Sequence, residues 1–361
     1  MEKVVEKNER KSGIELLRII AILLICLSHA VQTSELFLDF SLNSFGIVVL
    51  SILRYSGQIG NVIFIICSSY FLTESSGIKR NKAFKILFDS MCISILIFIC
   101  YLISGYRFGL LYSIKQILPD VFSNMWFIPI YVLFYLIHPM LNSAINGLSQ
   151  KQHFSFCFIV FVVYGILGFL FNYSIGLNFL LDFIIVYFVV SYMKKYCSRL
   201  CENFKLNFII FVFTAIIFVF LAVIKKLLNL KYLFIDSWTS PLLLIMLLSL
   251  FNIFNSFKFI NKKINYLASC SLFVYCFHEN ILLRSFLRPK YYEFVMNINP
   301  NIYFLWIMLC GIGMFVIAYL ISILYKITFS KLTNWLSKKV NEGYEKLLDY
   351  ILKDTKKKDT E

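Results

Sequence analysis

The stretch Gly13-Ile14-Glu15-Leu16-Leu17-Arg18-Ile19-Ile20-Ala21-Ile22-Leu23-Leu24-Ile25-Cys26-Leu27-Ser28-His29 is apolar enough and long enough to cross a bilayer, yet it carries a carboxylate, a guanidinium and an imidazole. Such groups are costly in lipid and normally face a protein interior or a wet cavity. At ~100° per residue, the eleven steps from Arg18 to His29 return to within ~20° of the same face, ~16 Å further along the axis. Glu15 stands three residues before Arg18, at ion-pair spacing on a helix. A positive-inside anchor at Arg18 and a helix–helix donor at His29 would account for each residue singly. Alignment of all three on one stripe points instead to a buried polar path.

The rest of the chain agrees with a membrane setting. Of 361 residues, 60% are hydrophobic and 15% are charged, which excludes an ordinary soluble domain and predicts an all-α polytopic integral membrane protein built as a single bundle. The N-terminal charged segment runs directly into the first span with no small-residue cleavage site, so no removable signal peptide is expected. The formal net charge is +15, but the basic residues cluster in alternate loops: 3–11, 79–85, 194–205, 258–263 and the tail after Lys326. That is a topology bias with a surplus suited to anionic lipid head groups, and no nucleic-acid-binding motif accompanies it. The ten cysteines show no metal-ligand or disulfide spacing and read as small packing residues, so no metal is expected. Heavy use of Phe, Ile, Asn and Lys is the composition of a low-GC bacterium.

Hydropathy and charge bias together predict about ten crossings, near 14–33, 56–74, 84–104, 123–143, 154–172, 177–193, 206–224, 238–257, 264–285 and 301–325. Both termini then face the cytoplasm. Residues 36–53 are apolar but interrupted by Asn43 and Gly46, and fit a re-entrant or interfacial helix. The domain plan is a cytoplasmic N-terminus at 1–13, a membrane domain at 14–325 and a cytoplasmic tail at 326–361. In the tail, Leu332, Trp335, Leu336, Val340, Tyr344, Leu347, Leu348 and Ile351 recur at threes and fours among lysines, which predicts an amphipathic helix on the membrane surface. The last residues, 356–361, are expected to be disordered.

Glu15-x-x-Arg18-x-x-Ala21, with His29 eleven positions after the arginine, resembles the opening signature of the membrane-bound acyltransferase-3 family. Further elements are similar along residues 13–325. Gly60 to Leu72 ends in a Ser-Gly-Tyr-like turn, with Ser69 in place of the usual glycine. The basic run Lys79-Arg80-Asn81-Lys82 stands where family members carry two arginines three apart. Asn124-Met125-Trp126-Phe127 is like the Trp-Phe element, and Ser271, Tyr275 and His278 follow the order of a late polar element.

The resemblance implies transfer of an acyl group, commonly acetyl, from coenzyme A to a hydroxyl of a cell-surface glycan. It implies His29, Arg18 and Glu15 as catalytic residues and Arg18, Lys79 and Arg80 as the donor site. Trp126, Tyr275 and His278 would bind the acceptor, and acetyl-CoA or another acyl-CoA would be the donor. The setting would be the cell membrane.

Each residue also has a bland reading. Lys79 and Arg80 suit a topology signal, Trp126 an aromatic belt, and Tyr275 with His278 a polar seam between helices. His138, near a span end, reads as an interfacial histidine. Lys225, Lys226, Lys231 and Asp236 form an outer loop that could meet an acceptor.

Acyl transfer needs a base for the hydroxyl proton, or a nucleophile that carries the acyl group; histidine serves either role. A carrier or flippase for a lipid-linked sugar, a glycan polymerase and a non-catalytic sensor use similar buried polar residues. Oligomeric state is open.

Overall fold

A computed structural model describes residues 10–34, 45–75, 77–121, 125–163, 179–230, 233–290, 293 and 303–358. All regular structure among them is helical. The quoted stretch forms α1 (Ser12–Ser34), which packs against helices from both the early and the late parts of the chain and so acts as the central post. Next come α2 (Phe45–Arg54), α3 (Ser56–Leu72), α4 (Arg80–Ile103), α5 (Leu110–Ile117), α6 (Phe127–Gly147), α7 (Gln150–Val160), α8 (Phe179–Tyr196) and α9 (Ser198–Glu202). The rest are α10 (Phe204–Leu227), α11 (Pro241–Asn255), α12 (Lys262–Ala268), α13 (Ser271–His278), α14 (Tyr303–Thr328) and α15 (Ser330–Lys358).

The α1–α3 approach is decided by glycine. A Cβ on Gly60 would lie 2.4 Å from the Ala21 carbonyl oxygen, and one on Gly57 would lie 2.7 Å from Ser28 Oγ. Without a hydrophobic drive between helices in lipid, this close backbone packing is what holds them together. Of the stretch 36–53, residues 36–44 lie outside the described residues and the rest falls in α2. It runs into α3 with a break only at Tyr55, and Phe45–Leu72 is a single 28-residue apolar stretch. Two hydroxyls answer the break: Ser28 Oγ of α1 donates to the Arg54 carbonyl at 2.6 Å, and Ser56 Oγ lies 2.6 Å from the Leu53 carbonyl and 2.7 Å from the Leu24 carbonyl of α1. Freed carbonyls at such a break need partners in a medium without water.

Six helices among the described residues are long and apolar enough to cross a membrane, and a seventh span arises if the bent pair Lys262–His278 and Leu283–Lys290 counts as one. The protein is therefore a multi-pass membrane protein. The other expected crossings fall short for separate reasons. The stretch 154–172 runs beyond the described residues, α8 carries Asp182, Lys194 and Lys195, and α11 has only 15 residues. On α10, Ile209, Phe213, Ile216 and Phe220 point outward, the face expected of a helix solvated by acyl chains.

α15 is the helix expected of the tail, and its two faces go to different surroundings. It is amphipathic, but the face it presents to the bundle is the small hydroxyl face: Thr333 and Ser337 are buried, whereas Leu332, Trp335, Val340, Leu347 and Ile351 are exposed. Thr333 Oγ1 donates to Asp89 Oδ1 at 2.6 Å. The same carboxylate accepts from Tyr325 of α14 at 2.9 Å and pairs with Lys85 at 2.6 Å. The tail is thus tied to α4 through a buried polar knot. Its helix runs to Lys358 and so takes in 356–358 of the stretch expected to be disordered; 359–361 lie outside the described residues.

Candidate active site

Two cavities meet along α1. The first, of about 260 Å³, lies toward its N-terminal end and is lined by Arg10, Arg18, Lys82, Phe127, Tyr131 and Tyr275 among others. The second, of about 700 Å³, lies toward its C-terminal end and is lined by His29, Gln32, Arg54, Lys225, Asp236, Trp126 and Trp238. Asn61 of α3 lines both, so it stands at their junction.

In the first cavity, Arg18 pairs with buried Glu15 at 3.4 Å, as the i,i+3 spacing predicted, and its Nε is buried without a partner among the described residues. Arg10 and Lys82 border the same space. Three cations against one carboxylate leave a surplus that suits an anion, since charge-assisted bonds to phosphate are among the strongest available.

The sequence-named cations lie elsewhere. Arg80 pairs with Glu345 at 2.5 Å and stacks over Tyr344, both on α15, while the Lys79 backbone N–H donates to Tyr135 Oη at 3.1 Å. Neither borders the cavity, and Lys82, one turn further, does. The shift reflects helix phase: residues two apart cannot share a face.

The second cavity holds the histidine. His29 Nδ1 lies 2.9 Å from Glu279 Oε1 and 3.0 Å from His278 Nε2, with the two imidazole centroids 5.1 Å apart and the ring planes within 17° of parallel. Glu279 is in turn gripped by Arg288 at 3.0 Å and Arg284 at 3.5 Å.

The fold supplies these groups through a broken helix. α13 stops at His278, the chain bends by 63°, and Leu283–Leu287 continues as a π-helical turn. The break frees the His278 carbonyl, and Arg288 donates to it; Asn280 Oδ1 accepts from the Leu282 N–H at 3.0 Å, and its amide reaches Ser94 at 3.2 Å. Glu279, Asn280 and Arg288 are all buried. Paired in this way, a buried carboxylate is tolerable; unpaired, it would not be.

A proton on His29 Nδ1 directed at the carboxylate leaves Nε2 as the basic nitrogen, and Nε2 makes no hydrogen bond among the described residues. Above it, Trp126, Phe179 and Trp238 form an aromatic wall, with centroids 4.4 to 5.6 Å apart. Lys225 and Tyr55 both reach Asp236, at 2.6 and 2.9 Å. Lys231 of the sequence-named outer loop lies outside the described residues.

The other two histidines serve the scaffold. His138 is fully buried against Tyr135, with Nδ1 2.5 Å from the Tyr135 carbonyl, and His153 contacts the Phe188 carbonyl at 2.9 Å.

The family profile described as Acyltransferase domain, that of acyltransferase family 3, matches residues 11–323. The chain belongs to the acyltransferase-3 family. The match takes in both cavities' central residues and leaves α15 outside the acyltransferase-3 region. No curated protein and no solved structure gives a significant match to the chain.

The structure therefore brings His29 and His278 together, sets Arg18 and Tyr275 on the first cavity and Trp126 on the second, and separates Lys79 and Arg80 from both. Glu279, Arg288, Arg10, Asn61 and Trp238 had no assigned role in the sequence reading, whereas Lys82 belonged to the basic run read as a phosphate site. For Glu279 a signal existed: a carboxylate directly after His278 at the end of an apolar run is expensive in lipid and calls for a partner.

Proposed function

We propose that this membrane acyltransferase moves an acyl group, acetyl by preference, from coenzyme A to a hydroxyl of a cell-surface glycan. In this reading the protein sits in a bacterial cell membrane with about ten crossings and both termini cytoplasmic. The observation that carries the reading is the pair of cavities sharing Asn61, one bordered by Arg10, Arg18 and Lys82 and the other by His29 and an aromatic wall.

The donor's phosphates sit among the cations of the first cavity, on the cytoplasmic side, and its thioester arm points along α1 toward Asn61. The acceptor sugar stacks on Trp126 and Trp238 in the outer cavity, with its hydroxyl at His29. His29 Nε2 takes the hydroxyl proton as the oxygen attacks the thioester carbonyl. The tetrahedral intermediate collapses by breaking the C–S bond, and the departing thiolate recovers the proton from the imidazolium. Glu279 holds the imidazole in the reactive tautomer and answers the positive charge that forms, the part an orienting carboxylate plays in a triad.

Reconstitution into sealed vesicles tests this. Labelled acetyl-CoA supplied on the face that exposes Arg10 should label an oligosaccharide supplied on the opposite face. Label transfer only when both substrates share one face would refute the two-cavity route, and movement of unacylated glycan across the vesicle would favour a carrier.

A further inference from the structure

The contacts at His29 cannot all be hydrogen bonds. Nδ1 has room for one proton, yet both Glu279 Oε1 and His278 Nε2 lie within 3.0 Å of it. If the proton points at the carboxylate, His278 Nε2 offers only a lone pair to an occupied donor. If His278 donates to Nδ1, the carboxylate faces a lone pair. His278 Nδ1, for its part, is buried and unpartnered among the described residues. Three electron-pair donors therefore converge where a single proton can join only two.

The three atoms form a triangle with sides of 2.9, 3.0 and 3.8 Å. A point equidistant from them lies ~1.9 Å from each, close to the ~2.0–2.2 Å of zinc–imidazole and zinc–carboxylate bonds. An ion slightly above that plane would have two nitrogens and one oxygen on one side and an open fourth position on the other. That is the ligand set and the count of an open zinc-type site. His29 borders the 700 Å³ cavity, which gives an entry path. Arg288 donates to Oε1 itself at 3.0 Å and Arg284 lies 3.5 Å from Oε2, so the carboxylate is held in place, with the second lone pair of Oε1 left for an ion; their positive charge also weakens the site.

We propose that His29 Nδ1, His278 Nε2 and Glu279 Oε1 form a binding site for a zinc-type divalent cation. Metal on Nδ1 obliges the remaining imidazole proton to sit on Nε2, where it cannot accept another. Occupancy and base catalysis at His29 therefore exclude each other, and the ion acts as an inhibitor that enters from the outer cavity. That consequence rests on the base role proposed above; the site itself does not.

The test uses tag-free, full-length protein in lipid nanodiscs. Titration with Zn²⁺ alone should show one tight equivalent in the wild type, weakened by roughly a hundredfold in His278→Ala, a full ligand loss being at least as costly as the ~10–100-fold of an outer-shell change. Co²⁺ bound to the unaltered wild type keeps the question open should the variant fail to fold. Tetrahedral or five-coordinate d–d bands without a thiolate charge-transfer band are expected. A thiolate band, or wild-type affinity no greater than that of His278→Ala, would overturn the site. Zinc at saturation should also slow acyl transfer at least tenfold. Binding without inhibition would uphold the metal site while overturning the base role of His29, so the two failures are distinguishable.

Discussion

The two ends of α1 carry similar costly residues in different company. Arg18 pairs with Glu15 on its own helix, keeps a buried Nε without a partner among the described residues, and shares its cavity with two further cations. His29, eleven residues on, has its partners on the broken helix at Glu279 and His278, and Glu279 is itself fixed by Arg288. One end leaves positive charge for a ligand to answer, while the other fixes the direction of a lone pair. Binding an anion tolerates loose geometry, because charge acts at a distance and long side chains adjust. Proton transfer does not, because a general base must lie within hydrogen-bond reach of its proton. The helix is polar at both ends for opposite reasons.

Substitutions at each end should therefore fail in different ways. The largest effect is expected at Glu279. Glu279→Gln removes the carboxylate that selects the Nδ1–H tautomer, so kcat should fall ~10²–10³-fold with the KM for acyl-CoA unchanged. Steady-state transfer in proteoliposomes checks it, and a raised donor KM with intact kcat would erase the distinction between the two ends.

Next comes Arg18→Gln, which removes a charge-assisted contact worth ~1.5–3 kcal/mol and should raise the acyl-CoA KM roughly ten- to a hundredfold. Isothermal titration with coenzyme A should show the same loss, with Lys82→Gln weaker in the same direction. An unchanged Kd would remove the first cavity from the donor route.

Trp238→Ala strips part of the aromatic wall and should raise the acceptor KM about fivefold without altering donor binding, a stacked base or sugar ring being worth ~1–3 kcal/mol at most. Competition between the glycan acceptor and its non-acylatable analogue measures this separately from turnover.

The smallest effect on activity belongs to the tail. Thr333→Val leaves Asp89 one partner short and should lower stability by ~1–3 kcal/mol, read as a lower thermal midpoint, while both KM values stay put. A change in KM would mean that α15 shapes the site.

Much of this was legible in the chain. The stripe Glu15–Arg18–His29 needed only helical periodicity and the cost of charge in lipid, and the membrane class needed only composition. The partners of His29 were not legible in the same way, because His278 and Glu279 are some 250 positions distant and meet it only through packing. The break after His278 is equally hidden: no proline marks it, and its freed carbonyl is answered by Arg288 ten residues later. Within the basic run 79–82 no phase was legible: only the start of α4 fixes that Lys82, and not Lys79 or Arg80, borders the first cavity. The tail shows the limit of periodicity. Its apolar stripe was read correctly, but the buried face is the one bearing Thr333 and Ser337, two hydroxyls with no pattern of their own.

The central claim, that His29 removes the acceptor's proton, is tested most directly by single-turnover acyl transfer with His29→Ala in nanodiscs, on protein first shown to bind coenzyme A normally. A ~10²–10⁴-fold slower transfer with unchanged donor Kd is predicted, beside a His153→Ala control that loses protein yield and not rate per molecule. Transfer by His29→Ala at close to the wild-type rate would contradict the account.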